Sequence, residues 1–159
     1  MVIKFPYKSI LVVCSVNTAR SRMAEGFLKN FFSKHDLDVE VKSGGISSHA
    51  REGMLISMDA KLVMKEIGIK LSDNSISIDL KKHPELIINA DLIFTLTEKH
   101  KKELMEFIDT GNKEILTLKE FSGLNGDIED PSMKEIEGFR IARDEIIDSL
   151  LKGLNKYSF

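Results

Sequence analysis

An α/β fold, with a parallel sheet covered by helices on both faces, is the expectation for this sequence on three observations. Short apolar runs alternate with segments of helical spacing in the order β-α-β-α-(α)-β-α-β-α. The first run, residues 9–13 (SILVV), is uninterrupted by polar side chains after its serine, as in a strand buried on both faces. Three widely spread prolines, with no internal repeat and no low-complexity linker, leave the 159 residues as one domain, 1–159. Four such runs predict a four-stranded sheet in a three-layer sandwich.

The elements follow in chain order. Residues 9–13 form the first strand and give way to a polar loop, 14–20. From Ser21 an apolar stripe of Ala24, Phe27, Leu28, Phe31 and Phe32 has helical spacing. Ser21 is the candidate N-cap, although no Glu or Gln three residues on completes a capping box. Residues 39–42 read as a second strand closed by Ser43-Gly44-Gly45. Residues 57–67 read as a helix stopped by Gly68. His83-Pro84 opens a short helical segment, residues 91–96 (DLIFTL) the next strand, and residues 98–107 a polar helix. Residues 114–118 (EILTL) make the fourth strand. A long loop, 119–131, leads to a last helix from about Lys134 to Leu154, with Ile136, Phe139, Ile146, Ile147, Leu150 and Leu154 on one stripe.

Charge and composition remove several function classes. Twenty-three Lys plus Arg against 25 Asp plus Glu give a net charge of -2. Neither a nucleic-acid coat nor a polybasic membrane anchor fits that balance. No apolar run approaches the roughly 20 residues that span a bilayer, and the first residues lack the shape of a secretion signal. A soluble, cytoplasmic monomer is therefore expected. The single cysteine, Cys14, allows no internal disulfide and no cysteine-based metal cluster.

In such sheets, ligands bind where strands end and helices begin. The first such junction reads Cys14-Ser15-Val16-Asn17-Thr18-Ala19-Arg20-Ser21. A tight loop of successive backbone N–H groups forms a nest for anions, and the following helix adds its unpaired N–H groups and positive dipole end. Arg20 can hold two phosphate oxygens in its planar fork. Cys14 lies in the same positive field, which favours its thiolate, and a hydroxyl such as Ser21 can donate to that sulfur. By itself a Cys-x5-Arg pattern also fits a buried small cysteine and a surface arginine. Its placement between strand and helix, with Asn17 and Ser21 present, points instead to a nucleophile in a phosphate-binding loop.

Residues 14–26 (CSVNTARSRMAEG) resemble the signature of the low-molecular-weight protein-tyrosine phosphatase family, which includes bacterial protein-arginine phosphatases. The likeness continues through Lys42–Gly45 (KSGG), residues 90–104 (ADLIFTLTEKHKKEL) and residues 116–131 (LTLKEFSGLNGDIEDP). It implies a hydrolase acting through a cysteinyl-phosphate on a phosphorylated protein, with inorganic phosphate as product. Cys14 would be the nucleophile. Arg20 and the amides of Ser15, Val16, Asn17, Thr18 and Ala19 would hold the equatorial oxygens. Asp130 would act as acid and then base. Asn17 would shape the loop and Ser21 would keep Cys14 ionised. No metal or cofactor is implied. Asp127 is a rival for the acid. An acid in this role should be buried beside the bound phosphate, so that it holds its proton.

Several residues depart from the family pattern. Val16 stands where glycine is usual, so the backbone there must accept negative φ or be strained. Ala19 replaces a frequent second cysteine that can trap an oxidised nucleophile. Arg22 replaces a common proline, either adding a cation near the site or pointing to solvent. Ser132-Met133 stands where relatives often place aromatics that sandwich a phenyl ring. Thr18 matches a threonine associated with phosphoarginine preference, which leaves phosphotyrosine and phosphoarginine both open. Residues 46–55, with His49 and Arg51, and the residues after Pro131 are expected to wall the pocket. Two other functions compete. One is an arsenate reductase of the same fold resolved by an external thiol, since Cys14 has no cysteine relay partner. The other is a non-catalytic phosphoanion-binding module.

Overall fold

Extended backbone suits the β-branched and leucine residues after Ser9, and the two-residue period of a strand divides them between two layers. In the computed structural model, which describes residues 3–159, they form β2 (Ser9–Cys14), after a two-residue β1 (Ile3–Lys4). Ile10, Val12 and Cys14 face one core, and Leu11 and Val13 the other. There follow α1 (Arg20–Lys34), β3 (Glu40–Gly45), α2 (Met58–Lys65), a 3-10 turn (Leu80–Lys82) and α3 (Pro84–Asn89). The second half contains β4 (Leu92–Thr95), α4 (Glu98–Phe107), β5 (Glu114–Thr117), α5 (Leu118–Phe121), α6 (Glu135–Leu154) and β6 (Tyr157–Ser158).

The main sheet has the order β3-β2-β4-β5, and every pair in it is parallel. The first core receives Met23, Leu28 and Phe32 of α1, Val63 and Met64 of α2, and Phe139, Ile146 and Leu150 of α6. The second receives Ile87 of α3 and Leu104 of α4. This is the expected three-layer arrangement. The chain leaves β2 for β3 on one side and later returns to β4 on the other. Right-handed crossovers running in opposite directions put α1 and α4 on opposite faces, and a crevice opens at the carboxyl end of β2.

Four details differ from the sequence reading. Ser43-Gly44-Gly45 continues β3 instead of closing it, because the loop after β2 packs directly on this strand end. A Cβ at Gly45 would lie 2.7 Å from the Ser15 carbonyl oxygen and 3.0 Å from the Val16 backbone. The second helix is shorter than 57–67, with Ser57 as its N-cap and Ala60 N donating to the Ser57 hydroxyl. The fourth strand ends at Thr117, because Thr117 and Glu120 form a reciprocal capping box that starts α5 inside the expected loop. Finally, β1 and β6 pair in parallel outside the main sheet, a contact between chain ends that short polar segments do not announce.

Candidate active site

β2 delivers Cys14 at its carboxyl end, and residues 15–19 turn into α1. The sequence reading started this helix at Ser21, with its hydroxyl as cap. In the structure Ala19 is the N-cap, with no side-chain hydrogen bond, and Ser21 lies within the first turn. The Ser21 hydroxyl is engaged elsewhere. Asn17 Nδ2 donates to Ser21 Oγ at 2.8 Å, and Ser21 Oγ lies 2.9 Å from Cys14 Sγ. Accepting from Asn17 leaves the Ser21 proton for the sulfur. Asn17 N also points at Cys14 Sγ, at 3.3 Å. Two donors thus converge on one buried sulfur, and the uncapped helix start leaves N–H groups free for an anion.

Asn17 holds the loop. It has φ 64°, in the left-handed region that asparagine tolerates better than most residues. Its Nδ2 also donates to Ser43 Oγ at 2.9 Å, and its Oδ1 accepts from Ile78 N at 3.0 Å. Val16 is outside the positive-φ residues, so its β-branched side chain brings no strain of that kind. The carbonyls of Cys14 and Ser15 accept from Ile46 N and Ser47 N. Arg22 neither faces the cavity nor reaches solvent. It is buried behind the loop, donating to Glu25 Oε1, to the Asn17 carbonyl and to the Ile76 carbonyl. Glu25 in turn accepts from Ser43 Oγ at 2.6 Å.

A cavity of about 280 Å³ opens over this loop, lined by Cys14, Ser15, Val16, Thr18, Ala19 and Arg20. Ser57 and Asp59, at the start of α2, form one wall. Asp130, Ser132 and Phe139 form the other. A larger groove of about 510 Å³ along α2, beside Met58, Leu62 and Leu71, is lined by neither Cys14 nor Arg20. The predicted wall at 46–55 is not found. His49 is exposed, Arg51 donates to the Ser48 and Ala50 carbonyls, and neither lines the cavity. That segment is drawn towards Ser77, whose backbone pairs with Gly53 and Met54. α2 docks in its place, through Ser57 N on the Thr18 carbonyl at 2.9 Å.

Arg20 and the late loop meet directly. Arg20 Nη1 donates to the Ile128 carbonyl at 2.8 Å, and Ile128 N donates to the Leu96 carbonyl at 2.9 Å. Asp130, two residues on, lines the cavity. It is exposed rather than buried, because it sits on the rim, where its Oδ1 accepts from Ser132 N in a turn. Asp127 is outside the cavity lining and accepts from Glu98 N at the start of α4.

Ser132 and Phe139 give the wall expected after Pro131, whereas three residues near the loop lay outside the sequence reading of the site: Ser57, Asp59 and His100. Ser57 carries a local N-cap signal, but nothing local ties it to residue 18. His100 Nε2 lies 2.8 Å from Ser15 Oγ. Burial first, then the charges of Arg20 and Lys99, push its pKa down to about 3, against a smaller upward pull from Asp130.

The sequence pattern of the low molecular weight phosphotyrosine protein phosphatases matches residues 9–157. The chain is 42% identical over 153 residues to a protein-arginine-phosphatase of Geobacillus stearothermophilus, covering 94% of this chain and 97% of the relative. It superposes with TM-score 0.80 and 32% identity on an arginine phosphatase, across 93% of both chains. That structure is of a cysteine-to-serine mutant with a phosphorylated active-site serine. Arsenate reductase of Shouchella clausii is 36% identical over 89 residues, 56% of each chain.

Proposed function

Because this chain belongs to the low molecular weight phosphotyrosine protein phosphatase family, we propose that it removes phosphoryl groups from proteins through a phosphocysteine on Cys14, with phosphoarginine as the preferred substrate. One observation carries the reading: a sulfur held by two donors sits in a cavity that Arg20 and Asp130 also line. Cys14 attacks phosphorus, the bond from phosphorus to the leaving atom breaks, and Asp130 supplies that atom with a proton. Asp130 then takes a proton from water as its oxygen attacks the phosphocysteine. Inorganic phosphate leaves and the thiolate is restored. Arg20 and the loop amides of residues 15–19 offset the charge spread over the phosphoryl oxygens in both steps.

The phosphoarginine assignment rests on three supports. A relative 42% identical over 94% of this chain is named a protein-arginine-phosphatase. Thr18 lines the cavity, and the carboxylate of Asp59, which lines it too, suits a guanidinium cation. Met133, where relatives often carry an aromatic, is 92% exposed and outside the lining. The arsenate reductase reading is weaker, since that likeness stops at about half of each chain. The module reading leaves the convergence of donors on Cys14 Sγ without a purpose.

Side-by-side turnover of phosphoarginine and phosphotyrosine peptides tests the assignment. Phosphoarginine is expected to be faster, with Thr18→Val reducing the preference by about tenfold, the scale of one lost hydrogen bond. Equal or faster phosphotyrosine turnover would overturn the substrate assignment. Cys14→Ser should abolish turnover and keep phosphate binding, and turnover surviving in it would remove Cys14 as nucleophile. Thiol-dependent arsenate reduction outpacing hydrolysis of p-nitrophenyl phosphate would favour the reductase.

A further inference from the structure

Ser15 follows the nucleophile, lines the cavity and is half-buried. Its Oγ has one hydrogen-bond partner among the described residues, His100 Nε2 at 2.8 Å. His100 reaches it from α4, on the opposite face of the sheet from α1. The imidazole is 2% exposed, and its Nδ1 is buried with no partner.

The direction of this hydrogen bond follows from that unpartnered nitrogen. If Ser15 donated to Nε2, the imidazole proton would sit on Nδ1 as a buried N–H with no acceptor, a rare and unfavourable arrangement. With the proton on Nε2, the group left over is a bare lone pair. Double protonation is disfavoured by burial, by Arg20 from α1 and by Lys99 from α4, and Asp130 from the late loop only partly opposes this. His100 therefore donates through Nε2, and Ser15 Oγ accepts. The Ser15 proton is then free, and the space it borders is the cavity over Cys14.

We infer that the Ser15 hydroxyl is an additional donor to the phosphoryl oxygens, and that His100 is a positioning residue that fixes it in the donating orientation. This rests on the anion-binding part of the phosphatase reading and deepens it. A hydroxyl aimed at a phosphoryl oxygen is a hydrogen bond to a charged group, whose loss is worth about tenfold to a hundredfold in affinity or rate.

A double-mutant cycle on Ser15→Ala and His100→Leu tests the assignment with two readouts. One is protection of Cys14 from iodoacetate by inorganic phosphate, which needs no turnover. The other is kcat and KM on p-nitrophenyl phosphate. Ser15→Ala should weaken phosphate protection and kcat/KM by about tenfold to a hundredfold. His100→Leu should cause a comparable loss with Ser15 present and almost none in the Ser15→Ala background. Ser15→Thr, which keeps the hydroxyl, should recover most of the loss. Wild-type protection in Ser15→Ala overturns the proposal, and so does a His100→Leu effect of equal size in both backgrounds. Ser15→Ala removes one exposed-side atom, so the first criterion holds even if His100→Leu does not fold. If phosphate protection shows the coupling but no variant hydrolyses ester, the hydrolase reading fails while the Ser15 assignment stands.

Discussion

At the residue scale, the loop is set by which side chain accepts the left-handed position. That position falls on Asn17, one residue beyond Val16, and asparagine both tolerates it and uses its amide to join Ser21, Ser43 and the Ile78 backbone. The polar residues Ser43 and Glu25, buried under the loop, extend the same network. Gly45 is the opposite case, a residue chosen for what it lacks. A Cβ there would meet backbone atoms of Ser15 and Val16, and backbone cannot swing aside as a side-chain end can. Gly45→Ala should therefore lower stability by about 1–3 kcal/mol in urea unfolding, and weaken phosphate protection of Cys14 as the loop is pushed into the cavity. Unchanged phosphate protection would show that the loop has room the structure does not display.

At the element scale, the segment carrying Asp130 is long and largely exposed, yet it is tied down before the acid. Asp127 caps α4 through Glu98 N, and Ile128 bonds both the Leu96 backbone and Arg20. Thr97 supplies the second cap of α4 by accepting from His100 N. An Asp-to-Ala change at a helix cap costs about 1 kcal/mol, so Asp127→Ala should lower stability by that order. It should also reduce kcat more than phosphate affinity, because the loop loses an anchor three residues before Asp130 while residues 14–20 are untouched. A kcat equal to wild type would show that Ile128 alone sets the acid. The sequence already held both aspartates in one acidic stretch, and their separate placements came from the neighbours: the start of a helix for one, the rim of the cavity for the other.

Across the whole molecule, burying His100 couples the site to acid stability. Its pKa lies at about 3 in the fold against an ordinary 6.5. Between these values the unfolded chain binds the extra proton and the folded chain does not, so the contribution is complete above 6.5 and is lost as pH falls towards 3. His100→Gln should flatten the upper part of this decline, from pH 6.5 to about 5, above the range where ordinary carboxylates titrate. An unchanged slope there would show that His100 is not the group responsible. The sequence by itself determined the order of the four main-sheet strands and the longer helices between them, and the contents of the loop from Cys14 to Ser21, because periodicity, turn chemistry and a strand-to-helix junction are local properties. Even so, it misplaced the helix start, since the partners of the Ser21 hydroxyl lie across the loop. Only the tertiary structure decided which distant residues close the cavity. Ser57 and Asp59 replace residues 46–55 as a wall, and behind the loop Arg22 turns into a buried network while His100 arrives from the opposite layer. Those contacts depend on the strand order β3-β2-β4-β5 and the faces its crossovers choose, and no window of neighbouring residues carries that information.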